Sequence, residues 1–185
     1  MSVARKLKSI AVLDPAGKSV RLGRTWQKKP AVLAFVRHFG CLFCREQVAG
    51  LRDALKEIRD RGAELVIIGN GHPEQALAFK DKQKITFPLL TDPDLKSYRA
   101  AGLRRGLIST LAPRSLLHGA RALSGGNVAT AILGDAWQQG GVFVIAPGDR
   151  VLFSQRSTEA GDHADPADII RALAKRKPLQ RIKKD

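Results

Sequence analysis

Cysteine is nearly absent from this 185-residue chain, which contains only two. That excludes a disulfide-stapled secreted scaffold, and the chain is long enough to bury a core without staples. No apolar run approaches the roughly eighteen residues that a membrane-spanning helix needs. The basic start, residues 1–10, leads into no apolar stretch of signal-peptide length, and Asp14-Pro15 interrupts it. A cytoplasmic protein is therefore expected. Aromatic residues make up 5% of the chain, and the basic flanks lack the interleaved aromatics of a base-stacking surface. There is no second C-x-x-C and no closely paired histidine motif, so a tetrahedral zinc site has too few obvious ligands.

What the chain has in excess is positive charge, +15 in total, unevenly spread. Residues 1–30 carry eight Lys or Arg against Asp14 alone, and residues 31–94 balance nine against nine. Residues 95–134 hold six basic residues and no acid, residues 135–174 are net acidic, and the tail 175–185 adds +5. A neutral centre wrapped in basic flanks can favour acidic partners, nucleic acid or anionic lipid. Plain solubility accounts for the flanks more simply, and nucleic acid is the less favoured partner.

The neutral centre reads as an α/β core. Ile10 to Leu13 and Val20 to Leu22 predict two short strands around Asp14-Pro15-Ala16-Gly17, a hairpin extension within residues 1–29. The run Ala31 to Val36 predicts a strand buried on both faces. Val48, Leu51, Leu55 and Ile58 recur at helical spacing after Cys44, and Leu65 to Ile68 predicts a second buried strand, completing a βαβ unit. A helix is expected over Pro73 to Lys84, with Ala76, Leu77 and Phe79 as its apolar positions and a charged end. Phe87 to Leu90 is extended, and Asp92-Pro93 caps a helix through Leu95, Tyr98 and Leu103. Residues 103–127 suggest a basic helical insertion. Val142 to Ala146 and Val151 to Ser154 form a hairpin, and Asp165-Pro166 caps a last helix, Ala167 to Ala174. This order predicts one thioredoxin-like α/β sandwich, with core 30–174 and a basic tail 175–185.

Both cysteines fall in Phe35-Val36-Arg37-His38-Phe39-Gly40-Cys41-Leu42-Phe43-Cys44-Arg45-Glu46, where the buried strand gives way to the helix. A thiol attacks only as thiolate, and a helix beginning near Cys44 would stabilise the anion there. Arg37 and Arg45 can add positive charge, and two intervening residues let both sulfurs meet across the first helical turn. The oxidised product is then an intramolecular disulfide that a second dithiol can reduce. His38 reads as a polar loop residue rather than a general base. Buried inert thiols, or zinc held by His38, Cys41, Cys44 and a fourth ligand such as His72, His118 or His163, are weaker readings. No cofactor is called for.

These residues resemble the peroxiredoxin-like branch of the AhpC/TSA superfamily that includes prostamide/prostaglandin F synthase-like proteins. The resemblance rests on the Arg37 to Gln47 segment, on Phe87-Pro88-Leu89-Leu90-Thr91-Asp92, on Gly134 to Ile145 and on Val151 to Ser157. It implies a thioredoxin fold and a thiol oxidoreductase that reduces a hydroperoxide or endoperoxide, with a thioredoxin- or glutathione-type electron donor. By position in peroxiredoxins Cys44 attacks peroxide; by position in thioredoxin Cys41 attacks a disulfide. Arg37 stands where the peroxiredoxin proline would be, and Gln139-Gly140-Gly141 where its later arginine would be. Arg37, Arg45 and Arg156 are the candidates to supply that charge. The departures keep two alternatives open, a protein disulfide reductase or redox sensor, and a non-enzymatic basic binding module.

Overall fold

The computed structural model describes residues 1–106, 135, 137–159 and 161–175. The expected insertion beyond Gly106 and the tail beyond Lys175 lie outside these residues. Strands β1 (Ala11–Leu13), β2 (Ser19–Arg21), β3 (Ala31–Phe35), β4 (Glu64–Gly69), β5 (Leu89–Thr91), β6 (Gly141–Ala146) and β7 (Arg150–Arg156) form one sheet in the order β2-β1-β5-β4-β3-β6-β7. β3 runs parallel to β4 and antiparallel to β6, with Phe35 opposite both Ile68 and Gly141. The N-terminal hairpin joins this sheet through an antiparallel pairing of Leu13 with Thr91. No helix among the described residues is long and apolar enough to cross a membrane.

The continuous apolar runs are explained by two cores, one on each face. Side chains alternate across a strand, so Val32, Ala34, Leu65, Ile67, Val142 and Val144 share one core. Leu33, Phe35, Val66, Ile68, Phe143 and Ile145 share the other. Helices α2 (Leu42–Asp53), α3 (Leu55–Asp60), α4 (Pro73–Lys82) and α6 (Pro166–Ala174) cover the first face through Val48, Leu51, Ile58, Phe79, Ile169 and Leu173. Helices α1 (Val3–Leu7) and α5 (Lys96–Ala101) cover the second, with Leu7, Trp26 and Tyr98 fully packed there.

Several expectations need correcting. The helix after the dithiol begins at Leu42, earlier than Cys44, and is two helices that change direction at Ala54, where ψ is −3°. Val48, Leu51, Leu55 and Ile58 still form one buried stripe across the break. Of the three apolar positions on α4, Leu77 is 48% exposed. It sits about 100° round the helix from Ala76, whereas Phe79 falls back onto Ala76's side. α5 starts at Lys96 behind Leu95, which adopts φ 57°, yet Asp92 does cap it: its carboxylate accepts from the Ser97 amide and hydroxyl, both at 2.6 Å. α1 has no counterpart in the expected elements, because five residues are too few for a helical period to show. Trp26, on the stretch that leads from the N-terminal hairpin to β3, is buried almost completely.

Gly140 brings β6 against the end of β3. A Cβ at this position would lie 2.3 Å from the Phe35 carbonyl oxygen, a backbone atom that cannot rotate away. Gly140→Ala is therefore expected to destabilise the protein by on the order of 3 kcal/mol, read as a lowered urea midpoint. An unchanged midpoint would show that this approach does not constrain the sheet.

Candidate active site

The site is built at the carboxyl ends of β3 and β4. Past Phe35 the chain stays bound to the sheet for one more residue, the Val36 amide donating to the Ile68 carbonyl at 2.9 Å. The buried Tyr98 hydroxyl sits between the Val36 and Ile68 carbonyl oxygens, at 2.6 and 3.0 Å, and ties the two strand ends together. Burial pushes the Tyr98 phenol well above its ordinary pKa, so it stays a protonated donor. The loop then crosses β4: Phe39 lies so close over Gly69 that a Cβ there would sit 2.2 Å from its ring, and its ring centroid is 5.2 Å from that of Phe79. Glycine is needed at 69 because an aromatic ring occupies the space of a side chain.

Cys41 ends this loop and serves as N-cap of α2, with extended backbone, φ −74° and ψ 129°. Its amide donates to the His38 carbonyl at 3.2 Å, and its own carbonyl accepts from the Arg45 amide at 3.3 Å. Cys44 follows at the third helical position. Both are free thiols, 6% and 1% exposed. The sequence placed the anion-stabilising helix end at Cys44; in the structure that end belongs to Cys41, and Cys44 lies inside the first turn.

Arg37 reaches both sulfurs. Its backbone amide donates to Cys44 Sγ at 3.1 Å, and its Nη1 donates to Cys41 Sγ at 3.6 Å. Its Nε donates to the Gln138 carbonyl at 3.3 Å, which aims the guanidinium along the dithiol. Asn70 holds the other side of the same residue. Its Nδ2 donates to the Arg37 carbonyl at 2.6 Å and to the Asp135 carbonyl at 3.3 Å, while its Oδ1 accepts from the Asp135 amide at 3.1 Å. Asn70 uses its amide on both sides and is buried, so it acts as a clamp rather than a reacting group.

The two thiols are driven apart electrostatically. A hydrogen bond from Cys44, helped by the Arg37 charge and working against burial, lowers the Cys41 pKa to about 6. Burial first, then the hydrogen bond to Cys41 and the Cys41 charge, pushes Cys44 well above an ordinary thiol. Near neutral pH the favoured state is a Cys41 thiolate receiving a hydrogen bond from a Cys44 thiol. His38 lies on the loop, as expected, and is buried there; burial together with the Arg37 charge lowers its pKa to about 4, so its imidazole is neutral.

The other expected residues fall differently. Arg45 is buried on α2, but the arginine acting on both thiols is Arg37. Arg156 lies across the sheet, donating to the Ala101 carbonyl at 2.8 Å with its guanidinium 5.2 Å from the Phe143 ring centroid. Gln139 is buried, its amide donating to the Arg104 carbonyl at 2.9 Å. Among the described residues, no three His, Cys, Asp or Glu side chains are grouped to hold a metal. Asn70, Tyr98 and Gln138 were not anticipated as site residues. The signal available for Asn70 is a polar side chain between two glycines directly after a buried strand.

Two substitutions test the clamp through the pH dependence of Cys41 alkylation. A depressed thiol is reactive above its pKa and loses reactivity as pH falls through it, so the rate should be half-maximal near pH 6. Arg37→Met should raise that midpoint by about one unit or more. Asn70→Ala should raise it in the same direction without removing any charge. A midpoint unmoved by both variants would show that Arg37 does not hold the thiolate.

The sequence model of the AhpC/TSA antioxidant enzyme family matches residues 50–159, starting on α2 just beyond the dithiol. The thioredoxin-like protein AAED1, chloroplastic, of Arabidopsis thaliana is 30% identical over 178 residues, covering 91% of this chain and 72% of that protein. The prostamide/prostaglandin F synthase of Salmo salar is 31% identical over 165 residues, covering 85% and 81% respectively. Among solved structures, the peroxidoxin BcpB of Mycobacterium tuberculosis superposes with a TM-score of 0.67 at 21% identity over 91% of this chain and 94% of that one, which shows a shared fold. With more than half of its length matched by the family and a buried dithiol at the strand-to-helix junction of a thioredoxin-like sheet, the chain belongs to the AhpC/TSA antioxidant enzymes as a peroxiredoxin-like thiol oxidoreductase.

Proposed function

We propose that Cys41 is the attacking thiolate, that Cys44 resolves the oxidised product, and that Arg37 orients and charges the pair. The observation that carries this reading is the convergence of the Arg37 guanidinium on Cys41 Sγ at 3.6 Å while its amide holds Cys44 Sγ at 3.1 Å. The Cys41 thiolate attacks one oxygen of a hydroperoxide, the O–O bond breaks, and the leaving alkoxide takes a proton to become an alcohol. Cys41 is then a sulfenic acid. Cys44 gives up its proton, its sulfur attacks Cys41, and water leaves as the disulfide forms. A thiol reductant restores both thiols by exchange, with electrons entering as two and leaving as two.

This assignment favours the thioredoxin-like order over the peroxiredoxin position for the first sulfur, because a buried thiol with a raised pKa is a poor nucleophile. Arg37 takes the part of the charge that the peroxiredoxin resemblance puts before β6. An endoperoxide, the other substrate that the family resemblance implies, would undergo the same O–O cleavage on a cyclic molecule. The identical thiolate can attack a protein disulfide, which keeps disulfide reduction as the second reading, and a thioredoxin-type dithiol is the favoured donor. The working compartment is a reducing one: the cytoplasm is our reading, and the chloroplast named for the Arabidopsis relative is another of that kind.

Single-cysteine variants decide the order. After one equivalent of hydroperoxide, Cys44→Ser should accumulate a sulfenic acid on Cys41, trapped by dimedone and read by mass. Cys41→Ser should consume peroxide at least about a hundredfold more slowly, as for a nucleophile lost from an enzyme. Fast peroxide consumption by Cys41→Ser, with Cys44→Ser inert, would reverse the roles. A wild-type protein that exchanges disulfides but leaves peroxide untouched would move the assignment to the second reading.

A further inference from the structure

The most basic stretch of the described chain is not at the dithiol. A cleft of about 480 Å³ opens among Lys8, Arg21, Arg24, Trp26, Gln27 and Asp149. It lies where α1, the 3-10 turn Leu22–Arg24 and the turn between β6 and β7 converge. That turn follows Ile145, which pairs with Ala31 at the start of β3, whereas the dithiol follows Phe35 at its other end. The cleft therefore faces the end of the sheet away from the cysteines, and whatever it holds is not the reacting substrate.

Its walls are constructed rather than incidental. Gly23 meets the carboxyl end of α1 so closely that a Cβ would fall 2.6 Å from the Lys8 carbonyl oxygen, and the Gly23 amide donates to that oxygen at 3.2 Å. Asp149, in the left-handed region at φ 59°, accepts from the Trp26 indole at 3.0 Å and from Lys8 Nζ at 2.9 Å. One carboxylate thus pins the back wall and offsets one cation. Arg21 and Arg24 are exposed and have no ion-pair partner among the described residues.

We infer that this cleft binds a soluble phosphorylated small molecule carrying at least two phosphate charges. Two unneutralised guanidinium groups at one mouth present planar donor forks that match phosphate oxygens in pairs. The volume falls in the range of about 300–1,000 Å³ typical of small-molecule sites. A phospholipid headgroup shares the phosphate chemistry. However, Trp26 is buried and no exposed aliphatic or aromatic side chain lines the cleft to enter a bilayer, which favours the soluble ligand. The site also gives part of the +7 charge of residues 1–30 a specific use.

The test uses the full chain, with inorganic pyrophosphate and ADP as probes in calorimetry at physiological salt. Both should bind with one-to-one saturation. Arg21→Ala/Arg24→Ala should weaken binding by at least about tenfold, while Lys18→Ala/Lys28→Ala, which removes the same charge outside the cleft, should leave it within about twofold. Hydroperoxide turnover by the arginine double variant should stay at the parental rate, which shows that it is folded. Absence of saturable binding, or equal weakening in the two double variants, would overturn the inference. So would attachment to vesicles of equimolar phosphatidylcholine and phosphatidylglycerol with no binding of either soluble probe.

Discussion

A thiolate that is only 6% exposed has to be held in place by charge and donors that the fold supplies. Burial alone would protonate it. Here one residue meets most of that requirement: Arg37 brings a cation to Cys41 and a backbone amide to Cys44, so the two sulfurs are fixed against the same short segment of chain. The rest of the site can be read as what keeps Arg37 where it is. Tyr98 fastens the strand ends just before it, Asn70 grips its carbonyl, and Gln138 accepts from its guanidinium.

Those supports come from three separate parts of the chain, and the sheet brings them together. Tyr98 reaches the strand ends from α5 on the second face, while Asn70 closes β4 and Gln138 precedes β6. Thr91 adds a hydroxyl that donates to the Gly69 carbonyl at 3.4 Å and to the Gly71 carbonyl, bracing the turn that carries Asn70. The Phe87 to Asp92 motif is thereby explained without any contact with substrate. Its threonine steadies the far side of the clamp, and its aspartate caps the helix that delivers Tyr98. A motif that resembles a family signature can be fully occupied with positioning.

How much of this was legible follows from what kind of signal each part leaves. β3, β4 and β6 were readable because burial on both faces writes an uninterrupted apolar run, and the dithiol because its setting between strand and helix is local. α1 and the buried Trp26 were not, since a five-residue helix shows no period and a lone indole beside lysines reads as surface. The start of α2 was misplaced by two residues, and that small error moved the helix end from one cysteine to the other. Asn70 and Gln138 act through contacts 33 and 101 residues from Arg37 in sequence. No local pattern reports such distances; only the closed sheet does.

The same geometry explains why the charge comes from Arg37 rather than from the position before β6. Gly140 packs on the Phe35 carbonyl and Gly141 within 2.7 Å of the Gln155 carbonyl, measured from where a Cβ would be. Neither position has room for a side chain, and the neighbouring Gln139 is buried, with its backbone amide donating to the Arg104 carbonyl. An arginine at Gly140 could not be accommodated without opening the β3–β6 seam, nor one at Gly141 without opening the β6–β7 seam. Placing it on the chain that leads out of β3 avoids that cost and has a chemical consequence. The cation lies four residues from Cys41 on the same loop, so the loop that holds this sulfur also carries the charge that helps lower its pKa. In the proposed cycle, oxidation of Cys41 to a disulfide takes the anion from the guanidinium, but its contact with the Gln138 carbonyl and the Asn70 grip on its backbone do not depend on the sulfur's charge. On that proposal Arg37 stays aimed at the dithiol through the oxidised half of the cycle, and the thiolate that reduction regenerates would meet its counter-charge already in place.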